Sequence, residues 1–179
     1  MTLSDSARAR VFAVLARLLA LVLVPIAYCA APGRARFLAC QWALGMRFPA
    51  EDLTGLTAHT RDALTAARAV AFWRDRQLIG LTSGHRDHAE QRGMFADEVG
   101  RAGSPHAARL RVLPADESAH VKGIALDVRP VEGARWLEEH GARYGLYRTY
   151  RNEWWHFEYR ASRPELLPHP GARLAAAQR

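Results

Sequence analysis

The spacing of apolar residues predicts three helices after residue 56. Apolar side chains recur at helical intervals over residues 57–74. A second helix is predicted to open at Asp87, because Glu90 follows three residues later as in a capping box, and to stop at Gly103. A third helix is predicted over residues 131–140, which a glycine follows.

Short strand-like segments lie between and after these helices. In residues 124–128 the alternation is strict, so that Leu126 and Val128 would face the core and Asp127 the opposite side. The other predicted strands are residues 78–82, 110–113, 146–150 and 155–160. The order of elements predicts an α+β fold with a mainly antiparallel sheet flanked by helices.

The N-terminus carries an apolar segment over residues 11–31, interrupted only by Arg17. The uninterrupted part, residues 18–33, is 16 residues long, which is short for a span of about 20 residues but normal for a signal-peptide core. If Arg17 reaches toward the interface, the segment from Val11 onward could contact or span a membrane. The segment therefore predicts export to the cell envelope, either to the periplasm or to the outer face of the cytoplasmic membrane. A buried N-terminal helix of a soluble domain is the alternative.

The rest of the chain divides by composition. A length of 179 residues suits one domain. We predict a signal peptide or membrane anchor over 1–31, a connector rich in glycine and proline over 32–56, the folded domain over 57–160 and a flexible tail over 161–179.

Charge and cysteine content restrict the classes of function. The net charge is +7, and Lys122 is the only lysine. Because the arginines are scattered and no arginine-rich run contains interleaved aromatic residues, the pattern does not indicate nucleic-acid binding. An anionic cell-envelope polymer would suit the charge equally well. Two cysteines are too few for a zinc finger or a disulfide framework.

Metal-binding residue types are grouped in the second half of the chain. Two histidines and one carboxylate, here His120, Asp127 and His156, are a common ligand set for a catalytic zinc ion that keeps one position open for water. Gly123 would let the chain turn between His120 and Asp127. Glu153 would have to lie in the turn before the strand of His156 to reach the same point. Without a metal, these residues would be a surface histidine, a strand-end aspartate and part of a packed aromatic strand.

Residues 83–87 follow a predicted strand and precede a predicted helix, where polar side chains are exposed at the edge of a site. There Arg86 could bind a substrate carboxylate with two parallel hydrogen bonds. A salt bridge to Asp87 or Glu90 is the alternative.

Together these segments resemble the VanY-type D-alanyl-D-alanine carboxypeptidases, a family of zinc D,D-peptidases that share their fold with the hedgehog signalling domain. The similarity covers about residues 57–160 and consists of three motifs in one order. The matching positions are Ser83, Gly84, Arg86 and Gln91, then Ser118, His120, Gly123, Ala125 and Asp127, then Glu153, Trp155, His156 and Phe157. His85 replaces the tyrosine of the family pattern and Trp154 its proline, and the segment between Gly145 and Glu153 is short.

The resemblance implies a zinc-dependent D,D-carboxypeptidase that removes the terminal D-Ala from peptidoglycan stem peptides. It implies that His120, Asp127 and His156 bind Zn²⁺, and that Glu153 is the general base for a metal-activated water. It also implies that Arg86 holds the substrate carboxylate or the developing oxyanion, with substrate contacts from Gln91 and Ser118. A D-Ala-D-Ala dipeptidase, a stem-peptide endopeptidase or a non-catalytic zinc-containing wall-binding module would carry similar residues.

Overall fold

Six α-helices and a four-stranded antiparallel sheet form the part of the chain that the computed structural model describes, residues 3–172. The helices are α1 (Leu3–Ala30), α2 (Ala35–Arg47), α3 (Ala58–Trp73), α4 (His88–Ala102), α5 (Pro105–Ala108) and α6 (Val131–His140). The strands are β1 (Gly80–Ser83), β2 (Ala125–Arg129), β3 (Leu146–Arg148) and β4 (His156–Tyr159), in the spatial order β1-β2-β4-β3. Short 3₁₀ turns cover Pro32–Arg34 and Gly141–Tyr144. The predicted α+β class is therefore confirmed.

The three predicted helices are confirmed as α3, α4 and α6, and local signals account for their ends. The Thr57 hydroxyl accepts a hydrogen bond from the backbone N–H of Thr60 at the start of α3. Asp87 does the same for the N–H of Glu90 at the start of α4, at 2.8 Å. α4 ends where Gly103 takes a left-handed conformation with φ of 79°.

The sheet has one face in the core and one face at the functional site. Leu126 and Val128 of β2 and Phe157 of β4 are buried against α3 and α6. Because side chains alternate along a strand, Asp127 and His156 point to the other face. The sheet thus presents polar groups on a rigid, apolar base.

The predicted strand over residues 110–113 is wrong. These residues follow the one-turn helix α5 in a series of turns, in which the N–H groups of Leu110 and Val112 donate to the carbonyls of Ala107 and Ala108. The Leu113 carbonyl accepts from the side chain of Gln91 instead of a neighbouring strand. These local hydrogen bonds use backbone groups that would otherwise pair with a neighbouring strand.

The predicted connector contains a helix, α2. Small residues spaced four apart, Ala35, Ala39 and Ala43, are buried on one side of it. They lie against α1, whose own buried positions are also alanines: Ala13, Ala16, Ala20 and Ala27. The two helices therefore pair closely through methyl groups, a contact that glycine and proline content alone did not indicate.

One side of α1 packs against the domain, and the other side exposes large apolar side chains. Its part Ala7–Ala30 is long and apolar enough to cross a membrane, by length and composition only, and 22% of its most apolar stretch is buried within the protein. Arg17 donates from Nη1 to the carbonyls of Phe72 and Trp73, at 2.9 and 3.1 Å. It thereby satisfies carbonyl groups at the C-terminal end of α3, where a helix leaves its last carbonyls without a partner. The large side chains that face outward include Val11, Val14, Leu15, Leu18, Leu21, Val22 and Ile26. Both cysteines, Cys29 and Cys40, are free thiols.

The described part of the predicted tail is attached to the domain. Leu167 is buried and pairs with Tyr150 in an isolated parallel bridge. Its N–H donates to Thr149 and its carbonyl accepts from Arg151. Residues 173–179, and residues 1–2 of the predicted N-terminal segment, lie outside the described residues.

Candidate metal centre

The predicted metal ligands meet on the face of the sheet that points away from the core, at the middle of β2 and the start of β4. Asp127 and His156 are directly opposite each other in the antiparallel register, so their side chains lie side by side on one face. His120 comes from the turn that precedes β2, which closes with a hydrogen bond from Gly123 N–H to the His120 carbonyl. Gly123 has φ of 66°, and a Cβ there would come within 2.4 Å of the Gly55 carbonyl oxygen. Only glycine makes this turn without strain.

The distances within the group suit a metal ion. His156 Nδ1 lies 3.0 Å from Asp127 Oδ1, and His120 Nε2 lies 3.4 Å from Asp127 Oδ2. One ligand atom from each residue lies within 4.8 Å of the others, and all three residues are buried. Tetrahedral ligands at about 2.1 Å from a zinc ion are about 3.4 Å apart, so small adjustments would complete the site. The residues present can therefore hold a divalent metal.

Both histidines are oriented by hydrogen bonds from the nitrogen that faces away from the metal position. His120 Nδ1 lies 2.6 Å from the Gly84 carbonyl oxygen, which can only accept, so Nε2 is left for a metal. His156 Nε2 lies 3.3 Å from Glu158 Oε1, and Nδ1 faces Asp127. Such partners fix the tautomer of a ligand histidine and raise its basicity.

Glu158 contacts this group, and the sequence analysis missed it. It is fully buried, and it also accepts hydrogen bonds from Thr149 and Arg160. A signal was available, because residues two apart on a strand share a face and Glu158 follows His156 by two.

The protonation of the group follows from burial and contacts. Burial would raise the pKa of Asp127, but hydrogen bonds from His120 and His156 hold it well below its usual range. Burial would lower the pKa of His156, but hydrogen bonds to Asp127 and Glu158 raise it to about 9. A metal ion must therefore displace a proton from His156 at neutral pH.

Glu153 lies at the edge of this group. It occupies the turn before β4, as predicted, and its Oε2 is 3.9 Å from His156 Nδ1. Burial raises the pKa of the Glu153 carboxyl to about 7, against a lowering by the charge of His156. A carboxyl group that titrates near neutral pH suits proton transfer in both directions.

Arg86 also contacts this group. Its Nη2 lies 3.0 Å from Asp127 Oδ2, and neither Asp87 nor Glu90 pairs with it. Ser83 Oγ and Gln91 Oε1 accept from its Nε and Nη1 at 3.0 and 3.3 Å. The Gln91 side chain is buried, and its amide nitrogen donates to Leu113. These contacts orient the guanidinium toward the metal position.

The group opens into a cleft of about 150 Å³. Ser118 lies buried in its wall, beside Ala119. The remaining wall is partly apolar and includes Met94, Tyr150, Trp155 and Pro170, with Arg111 as a second cation. Apart from Trp155, which belongs to the third motif, these wall residues had no role in the sequence analysis, because they come from separate parts of the chain.

Comparisons with known proteins identify the fold. No protein-family model and no curated protein sequence matches the chain. A glutamate-to-alanine variant of the vancomycin-resistance D,D-pentapeptidase VanY of the VanB-type cassette, in complex with Zn(II), matches with a TM-score of 0.53 and 24% identity, over 61% of this chain and 76% of that one. VanYB in complex with D-alanine-D-alanine matches with a TM-score of 0.53 and 22% identity, over 58% of this chain and 71% of that one.

A third solved structure is the LD-carboxypeptidase LdcB, with a TM-score of 0.52 and 23% identity over 58% of each chain. The chain therefore has the fold of the VanY-type zinc D,D-peptidases, as its three motifs predict.

Proposed function

We propose that the protein is a zinc-dependent D,D-carboxypeptidase that removes the terminal D-Ala from peptidoglycan stem peptides. One observation carries this proposal: a half-buried carboxyl group, Glu153, stands 3.9 Å from a ligand nitrogen of the group formed by His120, Asp127 and His156. A structural zinc site would use four protein ligands and would need no such neighbour. The Zn(II) and D-alanine-D-alanine bound in the two VanY structures of the same fold support the choice of metal and substrate class.

Each residue of the centre has a proposed task. A zinc ion bound by His120, Asp127 and His156 would lower the pKa of its water to about 7. Glu153 would take a proton from the attacking water and pass it to the amine that leaves when the amide bond breaks. Arg86 donates to the substrate carboxylate or to the developing oxyanion.

Ser118 and Gln91 are proposed to complete the substrate site. Ser118 contributes from the wall of the cleft, where its side chain is buried. Gln91 acts by holding Arg86, because both ends of its amide are already engaged.

The place of action is proposed to be the cell envelope. α1 suits a signal peptide or a membrane anchor by length and composition, and its outward side chains are large and apolar. A site for peptidoglycan peptides would then face the wall on the outer side of the cytoplasmic membrane.

The test uses the full chain in mild detergent, loaded with zinc, and mass spectrometry of two peptides. One is a muramyl pentapeptide ending in D-Ala-D-Ala, and the other a tetrapeptide ending in a single D-Ala. We expect loss of one alanine from the pentapeptide alone. Cleavage of the tetrapeptide alone would indicate L,D-specificity, the activity that the name of LdcB gives.

A control variant separates catalysis from binding. Glu153→Gln should keep zinc and lose turnover, because it leaves the three ligands in place and removes the base. Turnover by the metal-loaded variant would reject the role of Glu153. If both peptides stay intact, the proposed carboxypeptidase activity is overturned. Free D-Ala-D-Ala would then be tested as the substrate of a dipeptidase, and a cross-linked stem peptide as the substrate of an endopeptidase. Binding without cleavage of any of them would indicate a wall-binding module.

A further inference from the structure

A second cavity lies between α1 and the domain, away from the metal centre. Its volume is about 490 Å³. Three arginines line it from three different elements: Arg8 from α1, Arg47 from the end of α2 and Arg129 from the end of β2. We call this cavity the arginine pocket. None of the described residues that line it borders the metal cleft.

The three arginines of the pocket have no counter-ion among the side chains that the structure describes. Among residues 7–172, whose side chains the structure describes, no carboxylate lines the pocket and none of the three arginines forms an ion pair. The Nε atoms of Arg47 and Arg129 are buried and have no hydrogen-bond partner. Burying such donors unpaired costs free energy, so the pocket would gain from an anion.

Aromatic rings hold two of the guanidinium groups in place. Arg47 lies 4.2 Å from the ring centroid of Phe12 and 4.8 Å from that of Phe48. Arg129 lies 5.3 Å from the centroid of Phe48. Contacts with ring faces leave the N–H edges of a guanidinium group free for a ligand. The pocket is therefore already formed without a bound anion.

We propose that the arginine pocket binds a phosphate-bearing anion. Phosphate oxygens match the paired N–H groups of arginine, and three guanidinium groups on three elements can surround one phosphate group. The source is either the headgroup of an anionic phospholipid or a soluble phosphate. The outward apolar side chains of α1 begin beside the pocket at Val11, which would bring lipid headgroups to it. The bound anion would tie α1 to α2 and to the sheet.

The test is calorimetric titration of the full chain in a non-ionic detergent at physiological salt. The probes are dihexanoyl phosphatidylglycerol, dihexanoyl phosphatidylcholine and inorganic phosphate. The pocket variant is Arg47→Gln with Arg129→Gln. The matched control is Arg92→Gln with Arg143→Gln, two exposed arginines that form no ion pair in the described chain and change the net charge equally.

We expect the pocket variant to bind phosphatidylglycerol or inorganic phosphate about 25-fold more weakly, at about fivefold per arginine, and the control to change by less than about twofold. Binding of phosphatidylglycerol but of neither other probe would support the proposal with lipid as the source. Equal binding of inorganic phosphate, with the same dependence on the pocket, would support it with a soluble anion. Equal losses in both variants, or no binding of any probe, would overturn it.

A second variant keeps the proposal testable if the first pocket variant does not fold. Arg47→Lys with Arg129→Lys keeps both charges and removes the paired N–H geometry. A loss of about fivefold in this variant would support the proposal, and unchanged binding would overturn it.

Discussion

Replacing Glu158 with glutamine tests how the protein prepares His156 to bind a metal. The two side chains have nearly the same shape, so the change removes a charge from a fully buried position without leaving a cavity. In the parent protein the Glu158 carboxylate accepts hydrogen bonds from His156 Nε2 at 3.3 Å, from Thr149 Oγ1 at 3.3 Å and from Arg160 Nε at 2.8 Å.

The expected size of the effect follows from these contacts. Glutamine has one acceptor oxygen, and its NH₂ group must face one of the donors. If the oxygen faces Arg160, the NH₂ faces His156 and favours the tautomer with its proton on Nδ1, the nitrogen meant for the metal. If the oxygen faces His156, the contact loses the charge that strengthens it. Either arrangement predicts that zinc binds about 10–100-fold more weakly, or about 1.4–2.8 kcal/mol.

The assay is competition for zinc between the full chain and a chromophoric chelator of known affinity. Glu98→Gln is the matched control, because Glu98 is also buried and pairs with an arginine, Arg101, at 2.8 Å, but lies outside the metal centre. Both variants should lose similar thermal stability without metal, whereas only Glu158→Gln should lose zinc affinity. Zinc affinity within about threefold of the parent in both variants would refute this reasoning.

Three further predictions concern the ligand, the pH and the N-terminal helix. His156→Ala should lose zinc, because only two of the three protein ligands would remain. Full zinc occupancy of this variant, measured by elemental analysis, would contradict the ligand assignment. Without metal, the folded pKa values of Glu153 (about 7) and His156 (about 9) lie above their ordinary values of 4.5 and 6.5, so both stabilise the fold when protonated. The melting temperature of chelator-treated protein should therefore fall as the pH rises from about 5 to 9, and a flat profile would count against these shifts. Removing residues 1–31 should lower the free energy of unfolding by about 3–5 kcal/mol, from four buried alanines and the two hydrogen bonds of Arg17. An unchanged urea midpoint in the same detergent would mean that α1 is separable.

The sequence by itself determined the elements whose signals are local. The hydroxyl of Thr57 and the carboxylate of Asp87 cap helices from positions next to them, and the alternation around Asp127 defines a strand with one apolar face. Gly123 marks the turn that brings His120 to Asp127, because its conformation excludes other residues. The order of these elements was therefore enough to predict the fold class.

Only the tertiary structure decided the features that depend on distant partners. α2 is a helix because its alanines meet those of α1, and residues 110–113 are turns because α5 takes their hydrogen bonds. Glu158 gains its role from the ring of His156, and the arginine pocket exists only where α1 crosses the ends of α2 and β2. The physical reason is the range of the interaction: caps and turns act within a few residues, whereas burial and charge pairing depend on which surfaces the fold brings together.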